Sequence, residues 1–298
     1  MSESTVVEPV ETPANLDENG DGSVSVQSSA AAFTAARADG RGALVGYLPV
    51  GYPSVPGSMA ALATLCGADG ETPGVDLVEI GLPYSDPMMD GPVIQRAGTR
   101  ALERGVRTKD VFTAVETVRS AGRPAVVMTY WNLVDRYGVD AFARDLANAG
   151  GSGLITPDLI PDEADDWLAA SDRYGLDRVF LVSPSSSDDR IVSTVAAGRG
   201  WLYATSVMGV TGTRSASSSA APDLVARVRS LAPETLVGVG LGVSNGDQAA
   251  EVCGFADGVI VGSAFIKPLL AADEAGNPDD LSGLRTVLAD LTAGVRRA

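Results

Sequence analysis

The chain has 298 residues, 45% of them hydrophobic, which is enough to bury one sizeable core. Its 38 acidic and 22 basic residues give a net charge of −16, so we expect no nucleic-acid partner, because phosphate backbones need a basic surface. Histidine is absent, which excludes Ser-His and Cys-His nucleophilic systems and histidine-based metal sites. No apolar run reaches the roughly 18 residues of a membrane span, and no secretory signal is recognisable. We therefore expect a cytoplasmic protein without a membrane partner or a bound metal.

The N-terminal segment 1–29 differs in composition from the rest of the chain. It contains six acidic residues and no basic one, it is rich in Ser, Pro and Gly, and it shows no hydrophobic period. Such a segment buries too little apolar surface to fold, so we predict a disordered acidic tail. Residues 30–298 are predicted to form one catalytic domain. Cys66 and Cys253 lie in apolar surroundings, and we interpret both as buried, reduced thiols.

Short apolar strands alternate with helical patterns along the predicted domain. The candidate strands span 44–50, 75–82, 125–130, 153–156, 178–182, 201–204, 235–239 and 258–261. The candidate helices span 55–66, 93–104, 109–121, 139–149, 162–173, 188–197, 222–231, 246–253 and 281–295. Most strands are apolar on both faces, which is typical of a parallel sheet covered by helices. Eight β/α units in about 260 residues predict a (β/α)8 TIM barrel, with a doubly wound sheet as the alternative.

Two carboxylates lie near predicted strand ends, where the active site of a barrel is found. Glu79 interrupts the apolar strand Val-Asp-Leu-Val-Glu-Ile-Gly. An inward-facing glutamate there is costly unless it has a function, so we favour a functional role over a strand residue whose carboxylate reaches solvent. Asp90 ends the proline-containing loop that follows, Pro-Tyr-Ser-Asp-Pro-Met-Met-Asp. Its Asp-Gly pair is also typical of an ordinary turn, so the residues alone leave both interpretations of Asp90 open.

Glycine-rich stretches follow the last three predicted strands, at 207–213, 238–244 and 258–264. Glycine lets backbone amides approach a phosphate closely, and helix N-termini add a partial positive charge. Each stretch alone is consistent with a tight turn, but the three together favour a phosphate site, which barrels often have after strands seven and eight. No G-x-G-x-x-G spacing occurs around Gly238 and no G-x-x-x-x-G-K motif is present, which disfavours dinucleotides and nucleoside triphosphates. We therefore expect a small phosphorylated substrate.

The run Val-Glu-Ile-Gly-Leu-Pro-Tyr-Ser-Asp-Pro-Met-Met-Asp-Gly-Pro-Val-Ile-Gln at 78–95 resembles the signature of tryptophan synthase alpha subunits. The similarity covers most of 31–298 and includes Met-Thr-Tyr-Trp-Asn at 128–132, Pro-Asp-Leu at 157–159, Gly-Val-Thr-Gly at 209–212 and Val-Gly-Ser-Ala at 261–264. The resemblance implies a (β/α)8 barrel that cleaves indole-3-glycerol phosphate to indole and glyceraldehyde 3-phosphate in tryptophan biosynthesis. It also implies a pyridoxal-phosphate-dependent beta subunit as partner, in an alpha2-beta2 complex, and no cofactor in this chain.

The resemblance also implies roles for individual residues. Glu79 matches the catalytic acid/base, and Asp90 matches the group that binds the indole nitrogen. Further positions match the surroundings of the substrate: Tyr130 and Tyr203 beside it, Thr211 in a mobile loop that contacts the catalytic aspartate, and Gly212, Gly242, Gly262 and Ser263 in the phosphate cradle. Three positions depart from the family pattern, since Tyr52 replaces the usual aspartate before a proline and Met88-Met89 replaces the usual Leu-Ala.

Cleavage of this carbon–carbon bond needs an electron sink, and the residue types limit the choice. Lys109 begins a predicted helix and Lys267 lies beyond the last strand, so neither is placed to form a Schiff base. The indole ring of the substrate then serves as its own sink once its C3 is protonated. We expect Glu79, in an apolar environment, to transfer the protons of the reaction. We expect Asp90 to stabilise the positive charge that develops on the indole ring. The alternatives are a regulatory barrel that binds the ligand without turnover and a different phosphate-handling barrel, such as an isomerase.

Overall fold

The computed structural model describes residues 26–205, 220–240 and 242–297. The strands are β1 (Ala43–Pro49), β2 (Leu77–Gly81), β3 (Ala125–Met128), β4 (Gly153–Ile155), β5 (Asp177–Val179), β6 (Leu181–Val182), β7 (Leu202–Thr205), β8 (Val237–Gly240) and β9 (Gly258–Val261). The helices are α1 (Ala30–Ala38), α2 (Val55–Leu65), α3 (Pro92–Glu103), α4 (Asp110–Ser120), α5 (Trp131–Tyr137), α6 (Val139–Asn148), α7 (Asp165–Tyr174), α8 (Asp188–Ala197), α9 (Ala220–Leu231), α10 (Gly246–Cys253), α11 (Ser263–Glu274) and α12 (Ser282–Val295). Among these helices, none is both long enough and apolar enough to cross a membrane.

The strands form one parallel sheet in the order β5-β4-β3-β2-β1-β9-β8-β7-β6. β5 and β6 are two parts of one strand that is interrupted at Phe180. Because β5 pairs with β4 and β6 pairs with β7, the sheet closes on itself with eight strand positions. The amide of Tyr203 donates a hydrogen bond to the carbonyl of Phe180 at 3.1 Å, so the ladder continues across the interruption. The predicted (β/α)8 barrel is confirmed, and the doubly wound alternative is wrong.

Three helices, α1, α5 and α11, have no counterpart among the elements predicted from the sequence. α5 has only seven residues, and α11 contains Pro268, a residue type that usually ends or kinks a helix. α3, α5 and α11 are additional to the β/α repeat, because each lies between a strand and the helix that completes that strand's unit. All three therefore begin at the C-terminal mouth of the barrel, where barrel enzymes have their active sites.

The N-terminal end of the barrel lumen is filled by apolar side chains, among them Val45 and Leu77 from paired positions on β1 and β2. Helix α1 closes this end, and its Phe33 packs on Trp201 with ring centroids 5.0 Å apart. Side chains along a strand alternate between its two faces. The residues two positions further along, Tyr47 and Glu79, therefore face the lumen on the side of the mouth.

The start of α1 is bound to the barrel through a buried carboxylate. Asp177 accepts hydrogen bonds from the backbone amide of Ser29 at 2.7 Å, from the Ser29 hydroxyl at 2.6 Å and from the Ser28 hydroxyl at 2.9 Å. The Asp177 carboxylate and Ser29 are both buried. The three hydrogen bonds offset the cost of burying the carboxylate. The segment that we predict as a tail thus includes three residues in contact with the barrel, Ser28 and Ser29 through Asp177 and Val26 through the apolar core, which composition did not reveal. Residues 1–25 of that segment lie outside the described residues.

Candidate active site

Glu79 lies in the middle of β2 with its side chain in the lumen, and it is only 2% exposed. Its Oε2 atom has no hydrogen-bond partner within the described part of the chain. Burial, together with the charge of the nearby Asp90, raises the pKa of Glu79 to about 8. A carboxyl group with this pKa is mostly protonated at neutral pH and can donate a proton to a bound molecule.

Asp90 lies at the end of the loop that connects β2 to α3. The loop is fixed on both sides of this residue: the amide of Met89 donates a hydrogen bond to the Tyr130 hydroxyl at 2.9 Å, and the Gln95 side chain donates one to the Asp90 carbonyl at 2.8 Å. The Tyr130 ring also packs on Tyr84, with centroids 5.2 Å apart. Partial burial raises the pKa of Asp90 to about 6, so that this carboxyl group is mostly ionised at neutral pH.

Tyr130 is itself held by the start of α5. The Asp158 carboxylate accepts hydrogen bonds from the amide of Trp131, the first residue of that helix, at 2.9 and 3.1 Å. A carboxylate at a helix N-terminus is stabilising because it satisfies amides that lack intrahelical partners. The extra helix α5 therefore positions Tyr130, and Tyr130 positions the loop that contains Asp90.

Two tyrosines, Tyr47 of β1 and Tyr203 of β7, line the lumen next to the carboxylates. Tyr47 is paired in register with Glu79. A Cβ atom at Gly81 would overlap the Tyr47 hydroxyl, and a Cβ atom at Gly240 would lie 2.5 Å from the Tyr203 hydroxyl, so these glycines provide the space for the two phenols. Burial raises the pKa of both tyrosines above its ordinary value, and the charges of Glu79 and Asp90 raise it further. Both phenols therefore remain neutral hydrogen-bond donors.

Tyr47 is the residue of this group that the sequence did not reveal as a candidate. A tyrosine in an apolar strand is an ordinary core residue, whereas a glutamate in such a strand is conspicuous. The available signal was its position on a strand next to that of Glu79, combined with a glycine at position 81. That signal can be recognised only once the register between β1 and β2 is known.

The predicted phosphate cradle is at the ends of the neighbouring strands β8 and β9. Gly242 follows β8 and has a φ of +67°, a conformation that favours glycine. Gly262 follows β9 and caps α11, a helix of 12 residues that begins at Ser263. A Cβ atom at Gly262 would lie 3.1 Å from the Tyr47 ring. The first amides of α11 lack intrahelical acceptors, and the helix dipole makes this end attractive to an anion.

The candidate residues thus fall into three groups. The structure brings Glu79, Asp90, Tyr130 and Tyr203 close together. In addition to burial, the charge of Asp90 raises the pKa of the other three side chains, and the charge of Glu79 raises that of Tyr203. Gly242, Gly262 and Ser263 lie at strand ends on the β8–β9 side of the same mouth. Thr211 and Gly212 lie outside the described residues. The roles of all of these residues stay predictions.

The arrangement is that of a barrel enzyme with one buried and one partly buried carboxyl group of different pKa, and with a glycine-rich helix start that suits a phosphate group. Comparison with known proteins narrows this class. The family model described as tryptophan synthase alpha chain matches residues 33–290. The alpha chains of Mycobacterium marinum and Salinispora tropica are both 59% identical over 265 residues, which is 89% of this chain and 93% and 96% of theirs.

Solved structures that resemble this chain come from the same family as these sequence relatives. The structure of Mycobacterium tuberculosis tryptophan synthase superposes with a TM-score of 0.83 at 54% identity, covering 91% of this chain and 99% of that one. The alpha subunit from Legionella pneumophila gives a TM-score of 0.79 at 30% identity, covering 92% and 100%. The chain belongs to the tryptophan synthase alpha chain family.

Proposed function

We propose that this chain cleaves indole-3-glycerol phosphate to indole and glyceraldehyde 3-phosphate, the alpha reaction of tryptophan synthase, with Glu79 as acid/base and Asp90 as the group that binds the indole nitrogen. The proposal that this chain catalyses the alpha reaction rests on its membership of the tryptophan synthase alpha chain family. The residue roles are supported mainly by one observation, the order of the two carboxyl pKa values, about 8 for Glu79 and about 6 for Asp90. Between these values one carboxyl group carries a proton and the other carries a charge, as the chemistry requires.

Protonated Glu79 delivers its proton to C3 of the indole ring, which converts the ring into an iminium-like electron sink. The Glu79 carboxylate then removes the proton of the hydroxyl on the adjacent side-chain carbon. The electron pair of that O–H bond forms the aldehyde carbonyl, the carbon–carbon bond breaks, and its electrons return to the ring. Indole and glyceraldehyde 3-phosphate are released with Glu79 protonated again, so atoms and charges balance over the cycle.

Ionised Asp90 accepts the hydrogen bond of the indole N–H and stabilises the positive charge that develops on the protonated ring. The contact is stronger in the transition state than in the ground state, because the ring is charged only in the former. The bonds that fix Met89 and the Asp90 carbonyl support this role, since they hold the loop before substrate arrives.

The phosphate group of the substrate is assigned to the amides at Gly242, Gly262 and Ser263, with Gly212 completing the cradle. The helix start at Ser263 and the positive φ of Gly242 support this assignment. The resemblance adds Thr211, as the residue that contacts Asp90 when its loop closes over the substrate, and Tyr203 as an aromatic wall. No acid/base step needs a cofactor, and we expect none in this chain.

The partner that the family implies is a pyridoxal-phosphate-dependent beta subunit in an alpha2-beta2 complex, acting in the cytoplasm. Two large apolar side chains support a docking surface near the mouth. Met88, in the β2–α3 loop, is 66% exposed, and Ile160, in the segment after β4, is 40% exposed. Docking on Met88 would press directly on the loop that contains Asp90, which gives the partner a route to change the rate of the alpha reaction.

An indole-release assay with indole-3-glycerol phosphate, with and without the beta subunit, tests the proposed function. We expect slow release by the isolated chain and a large increase when the partner is added. A chain that binds the substrate but releases no indole in either condition would instead be a regulatory barrel. Met88→Ser, which removes the apolar side chain without adding a charge near Asp90, should reduce the increase without changing the slow release by the isolated chain.

A further inference from the structure

We infer that Asp273 is a positioning residue for the alpha reaction: it fastens the rim helices α3 and α11 to each other and to the β1–α2 loop, and thereby sets the distance between the indole end and the phosphate end of the substrate site. The inference rests on the proposed function. It concerns a carboxylate at the end of α11 that touches neither the substrate nor the reacting atoms.

Asp273 is the centre of a network that joins three separate segments. Its carboxylate accepts hydrogen bonds from the Tyr52 hydroxyl at 2.8 Å, from Arg100 at 3.1 Å, and from Arg104 at 2.9 and 3.1 Å. Tyr52 belongs to the β1–α2 loop, and the two arginines lie on and directly after α3. The Asp273 side chain is only 10% exposed, whereas Arg100 and Arg104 are 27% and 40% exposed, so water reaches these ion pairs from the arginine side only.

The network extends along one face of α3. Arg96, Arg100 and Arg104 are spaced four residues apart, so their side chains lie on the same side of the helix. Arg96 and Arg100 both pair with Glu274, the neighbour of Asp273. These ion pairs add a second row of contacts between α3 and α11, which pack against each other.

Arg104 connects the same network to the β1–α2 loop. Its guanidinium donates a hydrogen bond to the Pro53 carbonyl at 2.6 Å and lies 5.6 Å from the centre of the Tyr52 ring. Tyr52 is 1% exposed, and burial, together with its bond to Asp273, raises its pKa to about 12. The phenol therefore stays protonated at neutral pH and donates its hydrogen bond to the Asp273 carboxylate. Tyr52 is also the residue that departs from the usual family pattern at this position.

The two helices that Asp273 joins begin at opposite ends of the proposed substrate site. α3 begins at Pro92, two residues after Asp90, and α11 begins at Ser263 in the proposed phosphate cradle. An α-helix rises 1.5 Å per residue, so Asp273 lies about 15 Å from the start of α11. A helix transmits a displacement at one end to the other, so loosening the contact at Asp273 changes the separation of Asp90 and Ser263.

The charge of Asp273 is what keeps the network together. Burial alone would raise its pKa, but the hydrogen bonds from Arg104 and Tyr52 hold the pKa below its ordinary value, so the carboxylate stays ionised. Replacing it by an amide of the same shape leaves Arg100 and Arg104 close to each other with less compensating charge. Their mutual repulsion then favours separation of the β1–α2 loop, α3 and α11.

The test compares ligands that occupy both ends of the site with ligands that occupy one end. Asp273→Asn is prepared in the full chain with the beta subunit, and dissociation constants are measured for indole-3-propanol phosphate, for glycerol 3-phosphate and for indole. We expect the dissociation constant of indole-3-propanol phosphate to rise about tenfold, while those of glycerol 3-phosphate and indole stay within about twofold. Only indole-3-propanol phosphate occupies both ends of the site, so only its binding depends on the distance between them. Asp273→Glu should restore part of the loss, since it retains the charge.

Equal weakening of all three ligands, or no change in any of them, would overturn the inference. Asp69→Asn is the matched control, because it weakens an ion pair with Arg285 elsewhere on the chain, and it should leave all three constants unchanged. Should Asp273→Asn fail to fold, Tyr52→Phe removes the hydrogen bond from Tyr52 to Asp273 and the longer one from Arg100 to Tyr52, and it should give the same pattern at smaller amplitude. Indole release by the unchanged protein tests the proposed function separately, so the two failures are distinguishable.

Discussion

The hydroxyl of Tyr130 accepts a hydrogen bond from the backbone amide of Met89 at 2.9 Å, one residue before Asp90. Because Asp90 lies on a loop, the position of its carboxylate depends on how firmly that loop is held. Tyr130→Phe removes this acceptor, so we expect kcat/KM for indole release to fall by about tenfold, the effect of one hydrogen bond, with little change in thermal stability.

Tyr174→Phe is the control for this change. It removes a hydroxyl that bonds to Asp140 on the surface, and it should leave kcat/KM as it is. An equal loss in both variants would mean that the hydroxyl of Tyr130 acts through general stability and not through Asp90.

The two carboxyl pKa values predict a bell-shaped pH profile for kcat/KM. The reaction needs Asp90 ionised, so activity should rise as the pH increases through about 6. It also needs Glu79 protonated at the start, so activity should fall as the pH increases through about 8. A profile that keeps rising above pH 8 would show that Glu79 acts first as a base, and the order of the proton transfers would then be reversed.

Asp90→Asn should lower the rate of indole release by about 10²–10³, because an amide offers no charge to the developing indole cation. Burial is the main cause of the raised pKa of Glu79, and the charge of Asp90 adds to it; removing that charge should therefore move the descending limb of the pH profile to lower pH. A loss smaller than tenfold, or a descending limb that stays in place, would assign Asp90 to the structure of the loop alone.

Tyr47→Phe tests the phenol that lies beside Gly81 and whose pKa the charges of Asp90 and Glu79 raise, in addition to its burial. Replacing a buried hydroxyl by hydrogen makes the lumen more apolar, so the pKa of Asp90 should rise and the ascending limb should move to higher pH. Tyr137→Phe removes a hydroxyl that bonds to Asp145 outside the lumen and should leave the profile unchanged. If the Tyr47→Phe profile superimposes on that of the unchanged protein, Tyr47 only fills space.

The barrel and the candidate residue Glu79 could be predicted because both leave local signals in the sequence. Apolar strands alternate with amphipathic helices, and Glu79 is a charged residue within such a strand. Tyr47 and Asp273 could not be found in this way, because their roles depend on register and on contacts with partners 32 and 169–221 positions away. α11 was obscured by Pro268, since the helix tolerates a proline that local rules treat as a boundary.

In the proposed mechanism Glu79 carries the proton to the indole ring. Glu79→Gln keeps the size and shape of the side chain and removes its titratable group. Single-turnover release of indole from indole-3-glycerol phosphate, measured with the beta subunit present, should fall by at least about 10²-fold while the affinity for indole-3-propanol phosphate is retained. Release within a few-fold of the unchanged protein would contradict the account, because the proton would then have to come from another group.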